Sequence, residues 1–237
     1  MIGGRVMIKK HKPFIAAILI FMIMSILSFF ILYGVINDKV AAAKEKIHYF
    51  TEAQVSQLDR VLSSYIQTAE TLKLLIVDSN GNINDFDRVA HQLYNDDNTF
   101  RSIQLAPQGD VQYVYPLEGN EGAFGNIFED PERATEAKKA RDTGETTLAG
   151  PFELYQSGKG IVVRQPIYLE ENGENNFWGF AIVVLNVPEI FDSVHLDSFE
   201  NMGYEYQLWR IDPDNNKKQI ILKSDHEPVS YTHLRAH

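Results

Sequence analysis

The 237-residue chain has no cysteine. This excludes a disulfide framework and any reaction that runs through a thiolate, but it assigns no compartment, since many exported bacterial domains lack disulfides. Residues 13–36 carry no charge, and the first 12 residues carry no acid, only the bases Arg5, Lys9, Lys10 and Lys12. At about 1.5 Å rise per residue an apolar helix needs roughly 20 residues to cross the hydrocarbon core, so this run suffices with some tilt. The basic flank before it, with Asp38 and Lys39 after it, places the N-terminus in the cytoplasm by the positive-inside rule. The sequence therefore predicts a cytoplasmic segment over 1–12, a transmembrane helix over 13–36 in the inner (plasma) membrane, and an extracytoplasmic remainder. A secretory signal cleaved near Ala41, Ala42 and Ala43 is the competing reading. Its apolar region would normally span only about 7 to 15 residues, which favours the anchor.

Basic residues are scarce beyond the span. The chain holds 22 Lys and Arg against 32 Asp and Glu, and setting aside the four N-terminal bases leaves 18 against 32, a net of minus 14. Such a surface repels nucleic acid, so no nucleic-acid partner is expected. Proline is absent from 37–77, where Ile47, Phe50, Val55, Leu58, Val61, Leu62, Tyr65, Ala69, Leu72 and Ile76 follow the three-and-four spacing of an amphipathic helix. This predicts one long stalk helix leaving the membrane. Its stripe either packs on the chain's own domain or pairs with a second copy as a homodimer, and both can hold along one helix.

Catalytic constellations are also missing. The seven histidines are scattered, without the i, i+4 pairing of a zinc site. Asp212, Asp214 and Asn216 imitate the start of a calcium loop, but Lys217 and Lys223 stand where glycine and glutamate are required; the similar start at Asp78, Asn80 and Asn82 reaches Val89 at its twelfth position. Both read as turns. Gly119, Gly122 and Gly125 could offer backbone amides to an anion, yet no Lys or Arg lies among them and a plain loop is the better reading. No serine occupies a nucleophile elbow. No catalytic residue, metal ligand or cofactor is expected, and this chain is not expected to be an enzyme.

The remaining sequence, 78–228, reads as one mixed domain. Residues 78–82 break the stalk with turn formers. A short helix is predicted over 85–94 and strands over 100–106 and 111–117, joined by Pro107, Gln108, Gly109 and Asp110. A second helix is predicted over 130–141, with Asp130 as N-cap and Pro131 in its first turn, ending at Gly144. Further strands are predicted over 151–155 and 161–169, around a turn at 156–160, and over 177–186, where the run from Phe180 to Leu185 suggests burial on both faces. A helical stretch over 188–196 and a hairpin over 204–211 and 219–223 complete the set. The fold class is α+β, a PAS-like antiparallel sheet with flanking helices, preceded by the transmembrane and stalk helices.

Four ordered segments carry a family resemblance. They are Tyr115-Pro116-Leu117-Glu118-Gly119-Asn120-Glu121, Asp130-Pro131-Glu132-Arg133, Ala140-Arg141-Asp142-Thr143-Gly144 and Leu148-Ala149-Gly150-Pro151-Phe152-Glu153-Leu154, continued by Pro166-Ile167-Tyr168 and Phe177-Trp178-Gly179-Phe180. Over roughly residues 79–200 the chain resembles the CHASE extracytoplasmic sensor domain. The resemblance implies a ligand-binding module between two membrane helices, whose cytoplasmic output is a histidine kinase, a diguanylate cyclase or phosphodiesterase, or an adenylate cyclase. None of that machinery is in this sequence. Residues 230–237 lack apolar periodicity and resemble a translated sequencing adapter. The chain is accordingly read as a truncated fragment with an artefactual or unstructured tail over 229–237, and a return membrane helix is expected beyond it.

A pocket is expected between the sheet and its covering elements. By alternation Ile103 and Leu105 share one strand face, Tyr113 and Tyr115 another, and Val162 and Arg164 a third. Arg164 interrupts an apolar run, where a desolvated guanidinium could hold a carboxylate or phosphate through two parallel hydrogen bonds. The alternative is an internal ion pair with Glu153 or Glu118. Tyr155 and Trp178 are candidate aromatic walls. The resemblance implies that Leu148, Ala149, Gly150 and Pro151 approach the ligand, and it places Ile127 where plant relatives carry the aspartate that grips an adenine edge. An adenine-type ligand would then lose its main partner, at a cost of about 1 to 3 kcal/mol. The ligand-binding residues read from the sequence are thus Ile103, Leu105, Tyr113, Tyr115, Leu148, Ala149, Gly150 and Arg164. The expected function is a sensor for a small molecule or short peptide. The alternatives are the regulatory part of a membrane-bound cyclase, phosphodiesterase or histidine kinase, and a structural dimerisation domain without a ligand.

Overall fold

The computed structural model describes residues 7–95, 98–154 and 158–224. Tyr155, the expected turn residues Gln156 and Ser157, and the tail over 229–237 lie outside the described residues. Helix α1 (Met7–Asp78) runs unbroken for 72 residues. Two compact units divide within it, the first ending at Ala53 and the second beginning at Gln54. In the first unit the large apolar side chains from Phe14 to Ile36 are exposed, and this helix is long and apolar enough to cross a membrane.

The second unit begins with the last turns of α1. Ala69, Leu72 and Ile76 are buried and Leu58, Val61, Leu62, Tyr65 and Ile66 pack against the same core. From Leu58 onward the amphipathic stripe thus lies on the chain's own sheet. Full burial of a leucine such as Leu72 contributes about 2 kcal/mol. Val55, Leu74, Leu75 and Val77 remain exposed. The helix ends where the turn formers predicted it would. Gly81 N donates to Ile76 O at 2.8 Å, and Asn80 and Gly81 both adopt left-handed φ.

Helix α2 (Phe86–Leu93) leads to β1 (Phe100–Pro107), β2 (Asp110–Val111), β3 (Tyr113–Tyr115) and β4 (Gly125–Asn126). Helix α3 (Ala134–Thr143) precedes β5 (Thr147–Glu153), β6 (Lys159–Glu171) and β7 (Glu174–Val187). A 3-10 segment (Glu189–Val194), helix α4 (Asp197–Asn201), and β8 (Gln207–Ile211) with β9 (Lys218–Lys223) follow. The main sheet is antiparallel, in the order β3-β1-β7-β6-β5. Strands β8 and β9 form a separate two-stranded ribbon about the turn at Asp212, whose carboxylate accepts from Asp214 N at 2.9 Å.

Strands β6 and β7 extend to Glu171 and Glu174 around Asn172 and Gly173, both at left-handed φ, the geometry of a type I′ hairpin. Helix α3 starts later than predicted. Asp130 does not cap it; its Oδ1 accepts from Glu132 N at 2.9 Å and its other oxygen pairs with Arg133, so residues 130–133 form a turn ahead of the first helical residue. Gly144, at φ +74°, closes α3 with its N–H on Ala140 O at 3.0 Å.

The sheet separates two cores. One face meets α1 and α2 through Phe100, Ile103, Leu105, Ile161, Val163, Ala181, Val183 and Leu185. The other meets α3 and the 3-10 segment near Ile127 through Ala106, Val162, Phe180, Ile182 and Val184. Every residue from Phe180 to Leu185 is buried, as the continuous apolar run implied.

Candidate functional site

The second face is covered completely only at one end, where α3 packs. At the other end a cavity of about 720 Å³ opens between the sheet and the segment that connects β3 to α3. Its floor is built by alternation: Gln104 from β1, Val162 and Arg164 from β6, and Ile182 and Val184 from β7 all project to this side. Its walls come from Ala123 to Ile127, Glu129 to Arg133, and Glu153 with Leu154. Asn126 Oδ1 accepts from Phe128 N at 2.9 Å, and the Phe128 ring packs 5.8 Å from that of Phe180, which seats the covering segment on the sheet. Arg133 fastens it to β5: the guanidinium pairs with Asp130, donates to Glu153 O at 2.9 Å and lies 5.3 Å from the Phe152 ring centroid.

Arg164 is the unusual member. It is 1% exposed, the bulkiest of the fully buried side chains, and its Nε and Nη1 have no hydrogen-bond partner. It forms no ion pair among the described residues. The expected alternative pairing with Glu153 or Glu118 is not met: Glu153 is exposed and pairs with Lys159 at 3.6 Å. Glu136, on α3, is engaged by Arg210 at 2.9 Å. The Arg164 guanidinium lies 5.8 Å from the Phe152 centroid, an aromatic face offsetting a small part of the lost hydration. Burial pulls its pKa down to about 10; the attraction of Glu136 and Asp130 works against that, and the repulsion of Arg133 adds to it. The group stays charged at neutral pH. The cavity therefore has a largely apolar floor containing one dry, unneutralised cation.

The structure divides the residues singled out from the sequence. Arg164 and its strand partner Val162 line the cavity. Ile103 and Leu105 are fully buried on the opposite face, against α1 and α2, and Tyr113 and Tyr115 pack on that same core, with Tyr113 against Phe86 and Tyr115 against Tyr94. These four stand on the helix side of the sheet and do not line this cavity. Alternation gave their shared face, but only tertiary structure gave which face the helices cover. Trp178 likewise packs on the α1 end, its Nε1 so near Gly81 that an added Cβ there would sit 2.8 Å away. Ala149 is buried in the core beside α3, Leu148 is 40% exposed, and Gly150 is buried against β6, none of the three lining the cavity. Ile127, at the position the resemblance assigns to an aspartate, presents a buried apolar side chain to the cavity wall. Gln104, Glu129, Glu132 and Arg133 were not anticipated. Gln104 alone had a signal, a polar residue set directly between Ile103 and Leu105.

Comparison with known families gives a match to the CHASE domain over residues 82–222, more than half of the chain. No match is found among curated proteins. Among solved structures the fold is similar to an extracellular ligand-binding receptor from Desulfohalobium retbaense, with a TM-score of 0.53 at 14% identity, covering 68% of this chain and 29% of the other. It is also similar to the ligand-binding domain of an amino acid chemoreceptor of Pseudomonas aeruginosa in complex with GABA, with a TM-score of 0.50 at 14% identity, covering 74% of each chain. The chain thus spans less than a third of the first of these proteins. At such identity the likeness is one of fold.

Proposed function

Since the chain belongs to the CHASE domain family, a family of sensory rather than catalytic domains, we propose that it is the extracytoplasmic sensor module of a membrane-anchored signalling receptor. The observation that carries this reading is the cavity on the sheet face opposite α1, walled by the segment from Ala123 to Arg133. A ligand filling it presses on side chains of β1, β6 and β7 whose neighbours in sequence pack on the helix. Transmission requires only that the ligand prefer one of two packings of sheet and helix, and a coupling of roughly 1 to 3 kcal/mol is typical. The bound ligand of the Pseudomonas aeruginosa neighbour, a small amino acid, fits the same size class of occupant. In this reading α1 anchors the chain with its N-terminus in the cytoplasm and passes the change toward an output domain, and pairing of two copies along the stalk would use the exposed Val55, Leu74, Leu75 and Val77.

The topology has a direct test, because no native cysteine interferes. Ser56→Cys should react with a membrane-impermeant maleimide in intact cells, and Gly4→Cys only after lysis. The opposite pattern would refute the orientation, and loss of the N-terminal segment from the mature protein would make α1 a cleaved signal. The cavity is tested by a thermal-shift screen of the full chain in detergent against neutral, cationic and anionic small molecules. At least one compound should raise the midpoint of the wild type and lose its effect in Val162→Phe, whose ring occupies the floor; a ligand at 100 times its Kd stabilises by about 2.7 kcal/mol. If compounds of no class act on the folded chain, the small-molecule receptor reading fails.

A further inference from the structure

The sensor reading leaves open what enters the cavity, and the charges around it narrow the answer. The floor holds one cation, Arg164, with two of its three nitrogens unpartnered. Asp130 and Glu136, the two carboxylates whose charge it feels, are engaged by Arg133 and Arg210, and Glu153 pairs with Lys159. An unpaired buried charge persists at a cost of several kcal/mol unless a counter-charge reaches it. The mouth has the opposite character. Glu129 and Glu132 line it, are exposed, and form no ion pair among the described residues.

A single negative charge entering this cavity therefore finds one unpaired guanidinium, and a second finds Arg133, already paired with Asp130, and the carboxylates of Glu129 and Glu132. Phosphate monoesters carry about −1.5 to −2 near neutrality and dicarboxylates carry two charges, so each would leave excess charge in a desolvated space or against the acidic mouth. A planar carboxylate suits the guanidinium fork, and the apolar floor of Val162, Ile182 and Val184 suits a hydrocarbon body. An ammonium elsewhere on the same molecule would be tolerated, since Glu129 and Glu132 attract it. Resting on the sensor reading, we propose that the cavity takes a small molecule by a single carboxylate held on Arg164, and selects monocarboxylates, zwitterions included, over dicarboxylates and phosphate monoesters.

A series on one six-carbon skeleton isolates charge from shape: hexanoate, 6-aminohexanoate, adipate, hexyl phosphate and the neutral hexanamide, titrated at millimolar concentration into the full chain in detergent by calorimetry. Hexanoate and 6-aminohexanoate should bind at least about tenfold more tightly than adipate and hexyl phosphate, a difference of about 1.4 kcal/mol. Arg164→Met should abolish binding of both while leaving the chain folded, and Arg164→Lys should retain a part of it. Removing the repulsion at the mouth with Glu129→Gln and Glu132→Gln together should bring adipate to within a few-fold of hexanoate. Preference for adipate or hexyl phosphate, equal binding of hexanamide, or undiminished binding to Arg164→Met would overturn the proposal. Binding by none of the five would also overturn it, because every carboxylate in the series meets the same guanidinium. The broader screen with Val162→Phe reads separately, so a ligand found there among neutral compounds would keep the receptor and discard the anion anchor.

Discussion

Replacing Arg164 with methionine should make the unliganded chain more stable, by roughly 2 kcal/mol, with a thermal midpoint about 4 to 8 °C higher. The direction is the informative part. A structural arginine in an internal ion pair loses stability on truncation, because its partner is left behind unpaired. Arg164 has no such partner among the described residues and sits 1% exposed in an apolar setting, so methionine removes a charge whose hydration was lost and keeps most of the volume. Burial holds the folded pKa, about 10, below the ordinary guanidinium value, which is the same penalty seen as a proton equilibrium. Its pH dependence follows. Below about pH 10 the guanidinium is protonated in both folded and unfolded chains, and the penalty is constant. Above that point the folded chain releases a proton that the unfolded chain still holds, so stability rises with pH. The advantage of Arg164→Met over the wild type should be flat from pH 6 to 9 and shrink only in strong alkali. Denaturation of both proteins across that range decides the matter, and a methionine variant that melts lower would show that Arg164 braces the fold.

The second large effect belongs to Gly150. Its φ is +102°, which side chains with a Cβ rarely adopt, and it lies at the irregularity between Ala149 and Phe152 where β5 changes its pairing with β6. A Cβ there would stand 2.6 Å from the Gly160 carbonyl oxygen and 3.0 Å from Phe152 N, both backbone atoms that cannot turn aside. Gly150→Ala should cost about 3 kcal/mol or more in chemical denaturation, combining backbone strain with displacement of β5. Displacing β5 also moves the Phe152 ring, which lies beneath both Arg164 and Arg133. A denaturation midpoint equal to that of the wild type would remove Gly150 from this role.

Long elements were legible because their signals are local. The unbroken apolar and amphipathic periodicities gave α1 almost to its last residue, and Asp78 to Asn82 announced its end. The antiparallel strands and their approximate positions followed from β-branched runs and turn residues. Strands β6 and β7 were read too short because Glu170, Glu171 and Glu174 look like loop, although the Asn172-Gly173 pair between them is a hairpin signal. The site was harder. Period-two alternation paired Val162 with Arg164 and Ile103 with Leu105 correctly, but it cannot say which face of a sheet receives helices. Four of the eight residues expected to line the cavity consequently belong to the helix-side core. Gly150 was picked for approach to a ligand, and the backbone it approaches is that of β6. Arg164 stood out for a reason that survives any choice of face: a guanidinium in an apolar strand must be neutralised, hydrated or waiting for a counter-ion.

The sheet that separates the two cores is one residue thick, and along β1 the side chains of Gln104 and of its neighbours Ile103 and Leu105 point to opposite sides. If the cavity is the ligand site proposed above, dose response can therefore be adjusted from the helix side. By linkage, a substitution at Ile103, Leu105 or Leu72 that shifts the balance between two seatings of α1 changes the apparent affinity of a ligand that prefers one of them, by at most the ratio of its affinities for the two. The threshold at which such a detector answers its surroundings could drift, or be engineered, without altering a single atom that its ligand touches.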